Sequence, residues 1–342
     1  KLPYNSGSQL FKVSFSEQLM STPSDRSQSQ LYSDRRGSDT PDDFVNSVGG
    51  SLLYGLDYKI KESAKFLLNA SMRLKNSSSD LQSTAYPSQS DTNLENYQIT
   101  PRINIINDFL NKELKSTYGL DLQFADYGSD RKKNKDVAPL HVYDASQHTQ
   151  SVYAQHEIKL NKNFTLGTGL RIQRNDITIK DRLDRGAVNY TSYDIEHDNY
   201  AKQEINYAYN FGLGYDVSSR INVFSRFGSG FRYANIDDRI GGSGSTSFDL
   251  NTQKTLDYEI GVNFNTKKME SKIITYVIDA KNEIAYDADN YVNYNLSNTR
   301  RVGLELYLKN KFNKKISMTN SLTFVKAKFT SNPNTENWNS TV

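Results

Sequence analysis

The sequence predicts an all-β protein, and the architecture that best fits its pattern is an antiparallel transmembrane β-barrel. Apolar and polar side chains alternate in about 13 segments, which is the period of a strand with two different faces. Helical periodicity is nearly absent. The connections between the segments alternate between short and long, as in barrels that have tight turns on one side of a membrane and long loops on the other.

The alternation is clear in residues 294–312, where two arginines, Arg300 and Arg301, precede a regular run. One face of this run carries Val302, Leu304, Leu306 and Leu308, and the other carries Gly303, Glu305, Tyr307 and Lys309. Such a strand has one face against apolar surroundings and one against a polar medium. The pattern therefore raises the choice between a protein core and lipid.

Further strands are predicted in chain order from the same alternation. The first, at 10–15, is weak, whereas 205–215 is unusually regular, with aromatic side chains opposite small and polar ones. The predicted strands are 10–15, 51–58, 64–74, 97–105, 114–124, 152–160, 164–172, 205–215, 221–231, 256–264, 273–280, 302–308 and 318–324.

The connections sort into two classes. Short ones, rich in Asn, Asp, Ser and Lys, suit tight hairpins and lie at 59–63, 107–112, 161–163, 216–220, 265–268 and 313–315. Long polar ones are predicted as loops at 17–44, 76–94, 126–147, 175–202 and 233–254. Because they alternate with the short turns, all the long loops emerge on one side, which we expect to be extracellular. The whole chain, residues 1–342, is expected to be barrel.

Lipid explains the apolar face better than a soluble core. About a dozen strands without helices would need a second layer to bury that face. Aromatic side chains also cluster near strand ends, as in the girdle of a membrane barrel. The opposite face would then line a wet lumen that carries charges of both signs. Its predicted lumen-facing residues include Arg73, Arg102, Arg171, Glu259, Arg301 and Glu305.

Composition excludes several other classes of function. The 342 residues carry a formal charge of only +3, which gives no nucleic-acid footprint. Cysteine is absent and histidine occurs four times, so neither a disulfide framework nor a multi-histidine metal centre is expected. No catalytic set stands out, and we expect no enzyme, cofactor or resident metal. Both ends are polar and unlike natural termini, so we expect an internal piece of a longer protein.

Ligand-binding candidates come from the predicted loops, because loops on a rigid scaffold carry binding. They are Arg232, Tyr233, Asp237, Asp238, His197 and His141. The acidic stretches 237–238 and 286–290 lack the full spacing of a calcium loop. Basic stretches at 131–135 and 181–185 could bind an anionic ligand or a lipopolysaccharide phosphate. The glycine-rich stretch 241–247 is expected to be a loop tip.

Four stretches together resemble the barrel of TonB-dependent outer-membrane receptors. They are SVYAQHEIKLNKNFTLGTGLRIQRND (151–176), FGSGFRYANIDD (227–238), LDYEIGVNF (256–264) and NEIAYDADNYVNYNLSNTRRVGLEL (282–306). They total 72 of the 342 residues, and their order and spacing carry the likeness.

The resemblance implies a barrel of about 22 strands in the outer membrane of a Gram-negative bacterium. A plug domain not present in this sequence would close it and connect it to the TonB-ExbB-ExbD system. The function implied is import of a scarce nutrient, with a ferric siderophore as the default and cobalamin, haem or carbohydrate also open. Outer-membrane lipid and lipopolysaccharide are the expected surroundings. A passive porin and a soluble all-β adhesin domain are the alternatives.

Overall fold

The fold is taken from a computed structural model of the 342-residue chain. It describes residues 2–4, 7–21, 27–38, 40, 42–81, 88–133, 137–188, 190–240, 247–287 and 292–331. The strands are β1 Leu2–Tyr4, β2 Gly7–Ser21, β3 Phe44–Lys61, β4 Ala64–Leu81, β5 Ser88–Phe109, β6 Lys112–Lys132, β7 His141–Lys159, β8 Phe164–Leu183, β9 Tyr200–Asp216, β10 Ile221–Arg232, β11 Gln253–Asn265, β12 Met269–Lys281, β13 Ile284–Asp287, β14 Val292–Asn295, β15 Thr299–Lys311 and β16 Ser317–Phe329. The helices are α1 Gln28–Ser33 and α2 Ile236–Arg239.

Fourteen of these strands form one antiparallel sheet in chain order, from β1 at one edge to β16 at the other. Every predicted strand is present, and the all-β fold class is confirmed. The three-residue strand β1 and the separate hairpin of β13 and β14 were not predicted. That hairpin is inserted between β12 and β15, which still pair directly with each other.

The tight turns all lie at one end of the sheet because each strand runs antiparallel to its sequence neighbours. A two-residue turn joins β5 to β6 through Leu110 and Asn111, whose φ angles are 52° and 58°. Two consecutive positive φ angles are the mark of a type I′ turn, which matches the twist of the flanking strands. Asn tolerates this conformation, whereas Leu is strained in it.

The strands extend further than the predicted loop boundaries allow, so those boundaries are corrected. The segments predicted as loops at 76–94, 126–147 and 175–202 contain the ends of β4 to β9. The segment 17–44 contains the end of β2 and all of α1, and 233–254 contains α2 and the start of β11. The extension of β4, from Asn76 to Leu81, is largely polar on both faces, whereas the extensions of β6, β7 and β8 carry apolar side chains on one face of the sheet.

The two faces of the sheet differ sharply. Residues directly opposite each other in the ladder share a face, so one apolar face runs continuously from strand to strand. On it Ile205, Tyr207 and Phe211 are 54%, 60% and 44% exposed. The other, called here the polar face, carries the charged residues described below. Neither helix in the described part of the chain is long and apolar enough to cross a membrane.

A small core lies on the polar face near the end that carries the long connections. There the strand residues are themselves apolar, and α2 packs over them through Ile236 and Ile240. The strand residues of this core are Tyr127, Tyr143, Ala145, Ile177 and Ile179. The first part of the β10–β11 connection, residues 233–240, is therefore folded against the sheet.

Candidate functional site

All six residues predicted to face a lumen share the polar face. The register links them through successive cross-strand pairs, for example Arg102 to Gly119, Gly119 to Tyr153 and Tyr153 to Arg171. The same pairing continues across β9 to β12 and reaches Glu259, Arg301 and Glu305. The shared face follows from the ladder, whereas the contact of these residues with a plug remains a prediction.

Arg171 is the centre of a hydrogen-bonded group on this face. Its Nη1 donates to Oδ2 of Asp121 at 2.6 Å, and its Nε donates to Oε1 of Gln173 at 2.9 Å. Its guanidinium also lies 5.7 Å from the centre of the Tyr153 ring. These contacts hold the arginine in place while its side chain remains about one-third exposed.

Two cavities meet at Arg171. The first, of about 600 Å³, follows the middle of the polar face, and its walls include Arg102, Asp121, Arg226 and Asp257. Within it, Arg226 Nη2 donates to Asp257 Oδ2 at 2.9 Å. The second, of about 490 Å³, lies closer to the long connections, and Arg171 and Ala208 line both cavities. Together they make a groove with both signs of charge, called here the polar groove.

The walls of the second cavity include the first residues after β10. Tyr233 is buried, and its hydroxyl donates to the backbone carbonyl of Gln173 at 2.8 Å. Burial raises the pKa of Tyr233 above its ordinary value, so the hydroxyl keeps its proton as a donor at neutral pH. Tyr233 thus fixes the start of this connection to β8 across the groove.

The sequence NIDDR explains the short turn of helix that follows. Asn235 is its N-cap and accepts from the backbone N–H of Asp238 at 2.7 Å. The Asp238 carboxylate accepts in return from the backbone N–H of Asn235, which completes a capping box. The same carboxylate also accepts from Arg232 Nη2 at 2.7 Å. Asp237 lies on the exposed side of α2.

Arg239 ends α2 and is fully buried against the core. Its Nη1 donates to the Tyr200 hydroxyl at 3.2 Å and to the backbone carbonyl of Phe248. Its guanidinium lies 5.3 Å from the centre of the Tyr200 ring. No sequence pattern indicates this burial, because an arginine directly after two aspartates usually lies in solvent.

His141 and His197, predicted as loop residues near a ligand, are brought together at Asp181. His141 lies on β7 and is 2% exposed, with its Nδ1 2.9 Å from Asp181 Oδ1. The backbone N–H of His197 donates to the other oxygen of Asp181 at 3.0 Å. Asp181 lies on β8 rather than in a loop, and it is buried. His141 is therefore a strand residue enclosed by its neighbours.

The remaining predicted lumen residues differ in their surroundings. Arg301 Nη2 donates to Glu283 Oε1 at 2.7 Å. Burial acts to raise the pKa of Glu283, but hydrogen bonds from Arg301 and Thr299 outweigh it and lower the pKa below its ordinary value. Arg73 and Arg102 are exposed, whereas Glu259 and Glu305 are half-buried.

Sequence reasoning missed Asp181, Tyr143 and Arg239, which hold this region together. A signal for Asp181 did exist, since a short alternation resumes at Ile177 and Ile179 with the phase opposite to that of Leu170 and Ile172. In the described residues no group of three His, Cys, Asp or Glu side chains is placed to hold a metal ion. The candidate stretches 131–135, 241–247 and 286–290 lie partly outside the described residues, which exclude 134–136, 241–246 and 288–291.

Comparison with known proteins agrees with this architecture. The family described as "TonB dependent receptor-like, beta-barrel" matches residues 3–341. A curated protein, the TonB-dependent heme receptor A of Haemophilus influenzae, is 31% identical over 102 residues, which are 30% of this chain and 13% of that receptor.

Solved structures share the fold at low sequence identity. The ferric citrate transporter FecA in its unliganded form superposes with a TM-score of 0.76 at 13% identity, covering 95% of this chain and 49% of FecA. FpvA of P. aeruginosa, solved with a heterologous pyoverdine and iron, gives 0.72 at 10% identity, covering 95% and 47%. The ferric yersiniabactin uptake receptor FyuA of Yersinia pestis gives 0.69 at 14%, covering 87% and 45%.

The chain spans about half the length of these solved receptors. Members of the matching family are transporters located in the Gram-negative outer membrane that bind small ligands and work with TonB. The match over nearly the whole sequence, together with the ordered sheet and its two faces, establishes that this chain belongs to the TonB-dependent receptor-like β-barrel family.

Proposed function

We propose that this chain forms part of the wall of an outer-membrane receptor that binds a ferric siderophore and imports it with TonB energy. The observation that carries the proposal is the polar groove, which runs along one face of the sheet and ends beneath the folded β10–β11 connection. The long connections are proposed to be extracellular. Outer-membrane lipid and lipopolysaccharide would surround the apolar face.

The charges of the groove support an anionic chelate as the ligand. Arg102, Arg171, Arg226 and Arg232 line its two cavities. Asp121, Asp257 and Asp238 hold three of these arginines in position. An arginine held in this way can offer its remaining N–H groups to a carboxylate, a catecholate or a hydroxamate oxygen without first becoming ordered.

We further propose that the groove has two roles along its length. The cavity beside Arg232, Tyr233 and Asn235 lies next to the long connections and would receive the ligand. Arg102, Arg171, Arg226 and Asp257 in the other cavity would contact a plug domain coupled to TonB, ExbB and ExbD. Charge pairs that remain partly exposed can be exchanged for new partners, which suits a plug that must be both held and released.

In this proposal Arg232 and Asp237 contact the ligand first, and His141 does not contact it unless the surrounding chain moves. Arg232 is exposed and Asp237 lies on the exposed side of α2. His141 is enclosed, and its Nδ1 is engaged by Asp181, so a ligand would have to displace the 184–199 connection to reach it. His197 is half-buried in that connection and would become accessible in the same displacement.

Uptake in living cells tests the proposal. A strain that lacks the gene, grown under iron limitation, is complemented with the parent gene and offered single ferric siderophores, haem or cobalamin. We expect uptake of one ferric siderophore to depend on both the gene and TonB. Uptake that persists without TonB would instead indicate a passive pore, and dependence for haem or cobalamin alone would reassign the substrate.

A variant locates the binding site within the same assay. Arg232→Gln removes a cation from the ligand end of the groove, and we expect it to weaken binding of the siderophore to whole cells by about tenfold, the effect of losing a hydrogen bond to a charged group. Arg220→Gln is the matched control, since Arg220 precedes the same strand at its opposite end and is exposed there. Equal binding by the two variants would contradict the assignment of the ligand end.

Haem is the second candidate because the curated relative with 31% identity over 102 residues is named as a heme receptor. Substitutions of His197 and of Arg232 distinguish haem from a ferric siderophore as the substrate. If uptake of haem falls when His197 is substituted but not when Arg232 is substituted, haem is the favoured substrate.

A further inference from the structure

The main sheet is split between β9 and β10 near the end that carries the long connections. The last backbone pair of the two strands joins Asn210 to Gly228. Both strands continue beyond this point, β9 to Tyr200 and β10 to Arg232, but they pair only with β8 and β11 respectively. At the split, the hydroxyl of Ser229 accepts from the backbone N–H of Tyr209 at 3.1 Å, in place of a strand partner.

A groove of about 580 Å³ opens at this split on the apolar face, and it is called here the seam groove. Its apolar walls include Ile205, Tyr207, Tyr209 and Leu256, and Ser229 provides a small side chain between them. Ile205 and Tyr207 are more than half exposed. An elongated apolar group could therefore lie over Ser229 between β9 and β11.

The seam groove lies where the apolar face changes to a charged one. On the side of the groove toward the tight turns, one row of side chains is apolar, with Phe227 opposite Tyr258 and Tyr258 opposite Val277. Four residues further along the same strands, Lys254 lies opposite Phe231 on one side and Lys281 on the other, so β11 and β12 both carry a cation there. This change occurs over about 13 Å, the length of four strand residues, as expected at a boundary between hydrocarbon and headgroups.

Two lysines at this boundary have no carboxylate partner among the described residues. Lys254 and Lys281 are directly opposite in the ladder and both exposed, and neither forms an ion pair with a described residue. Like charges opposite each other in a sheet are destabilising. The adjacent Arg300 is held by a bidentate bond to Asp279, at 2.6 and 2.8 Å. The four side chains together carry a surplus of two positive charges.

We propose that the seam groove binds a phosphorylated, multiply acylated glycolipid of the outer leaflet, the lipid A class. Its phosphate lies between Lys254 and Lys281 beside Arg300, and one acyl chain lies over Ser229 against Tyr207 and Leu256. The phosphate supplies the negative charge that the two lysines lack, and the acyl chain fills the groove between the apolar side chains of β9 and β11.

This inference rests on the proposed extracellular position of the long connections, which places the seam groove at the outer leaflet. It makes no use of the nutrient ligand. Failure of the siderophore proposal in the uptake assay would leave the lipid measurement unaffected, and the converse also holds.

Native mass spectrometry of the protein purified from outer membranes in a mild detergent tests the site. The probe is hexa-acylated, bisphosphorylated lipid A, titrated against the protein beside phosphatidylethanolamine. The double variant Lys254→Gln/Lys281→Gln removes both lysine charges. The matched control Lys267→Gln/Lys268→Gln makes the same change in the turn between the same two strands, at the opposite end, where both lysines are exposed.

We expect one lipid A molecule to bind the parent protein more tightly than phosphatidylethanolamine does. Loss of two charge-assisted contacts should raise its Kd by at least about tenfold in the double variant, with less than about a twofold change in the control. Equal affinity for the two lipids would overturn the proposal. So would an unchanged Kd for lipid A in the double variant.

A second variant addresses the acyl chain and serves if the double variant does not fold. Ser229→Phe fills the groove without changing any charge, and we expect it to weaken lipid A binding while the dependence of binding on salt remains. Folding of each variant is checked by its heat-modifiable migration in SDS gels. Unchanged lipid A binding by a folded Ser229→Phe protein would exclude an acyl chain at this position.

Discussion

The imidazole Nδ1 of His141 lies 2.9 Å from Oδ1 of Asp181, and both side chains are almost fully enclosed. Through the other carboxylate oxygen, Asp181 also accepts from the backbone N–H of His197. One carboxylate thus joins β7, β8 and the 184–199 connection.

Asp181→Asn should release the 184–199 connection. The amide keeps the size of the side chain but loses the charge, and a buried hydrogen bond to a charged group contributes about 1.5–3 kcal/mol. We expect faster hydrogen exchange in the connection. Glu196→Gln is the control, because Glu196 contributes only an exposed ion pair with Arg185 at 3.5 Å. Similar exchange in both variants would show that Asp181 does not anchor the connection.

The same connection should also loosen in acid through Asp194. Burial acts to raise the pKa of Asp194, but hydrogen bonds from Lys133 and Thr191 outweigh it and lower the pKa below its ordinary value of 3.8. A carboxyl whose folded pKa is lowered stabilises the folded form above its unfolded pKa, and this contribution is lost as the pH falls through the folded pKa.

Hydrogen exchange corrected for the intrinsic effect of pH checks this expectation. Protection of the 184–199 connection should stay constant from neutral pH down to the ordinary carboxyl pKa and fall below it. Asp194→Asn should lack that dependence and show reduced protection already at neutral pH. An identical acid profile in the variant would assign the transition to another group.

Leu110→Asn should stabilise the turn between β5 and β6. Leu110 is 79% exposed and has a φ of 52°, so the change removes backbone strain without removing packing. The expected gain is about 1 kcal/mol, near the cost of a left-handed conformation for an ordinary residue. Leu110→Ala is the control, since it removes the exposed side chain but keeps the strain. Equal urea midpoints for the two variants would contradict the explanation by strain.

Gly261→Ala should destabilise the sheet between β10 and β12. A Cβ at this position would lie 2.4 Å from the Phe224 ring and 2.9 Å from the backbone oxygen of Ile273. Crowding of this kind costs about 1–3 kcal/mol. Gly167→Ala is the matched control, because there the nearest heavy atom to a Cβ, Gly212 O, is 4.0 Å away. Urea unfolding of both variants measures the difference.

The two faces were predictable because they depend on a period of two within each segment, and the strand order was predictable because short turns pair neighbouring segments. The run from Val302 to Leu308 has the same alternation whether it is read alone or within β15. The ends of the strands were not predictable in this way. From Asn76 to Leu81, for example, both faces are largely polar and only the pairing with β5 defines the strand.

The amino-acid pattern is enough to show which face of each strand is apolar, since every second side chain must point the same way. Contacts across connections, such as His141 with Asp181, or Tyr233 with the backbone of β8, are visible only in the folded chain. Those contacts depend on the register of neighbouring strands and on the path of a connection over the sheet. The split between β9 and β10 belongs to the same class, because two adjacent strands can each keep their alternation whether or not they pair.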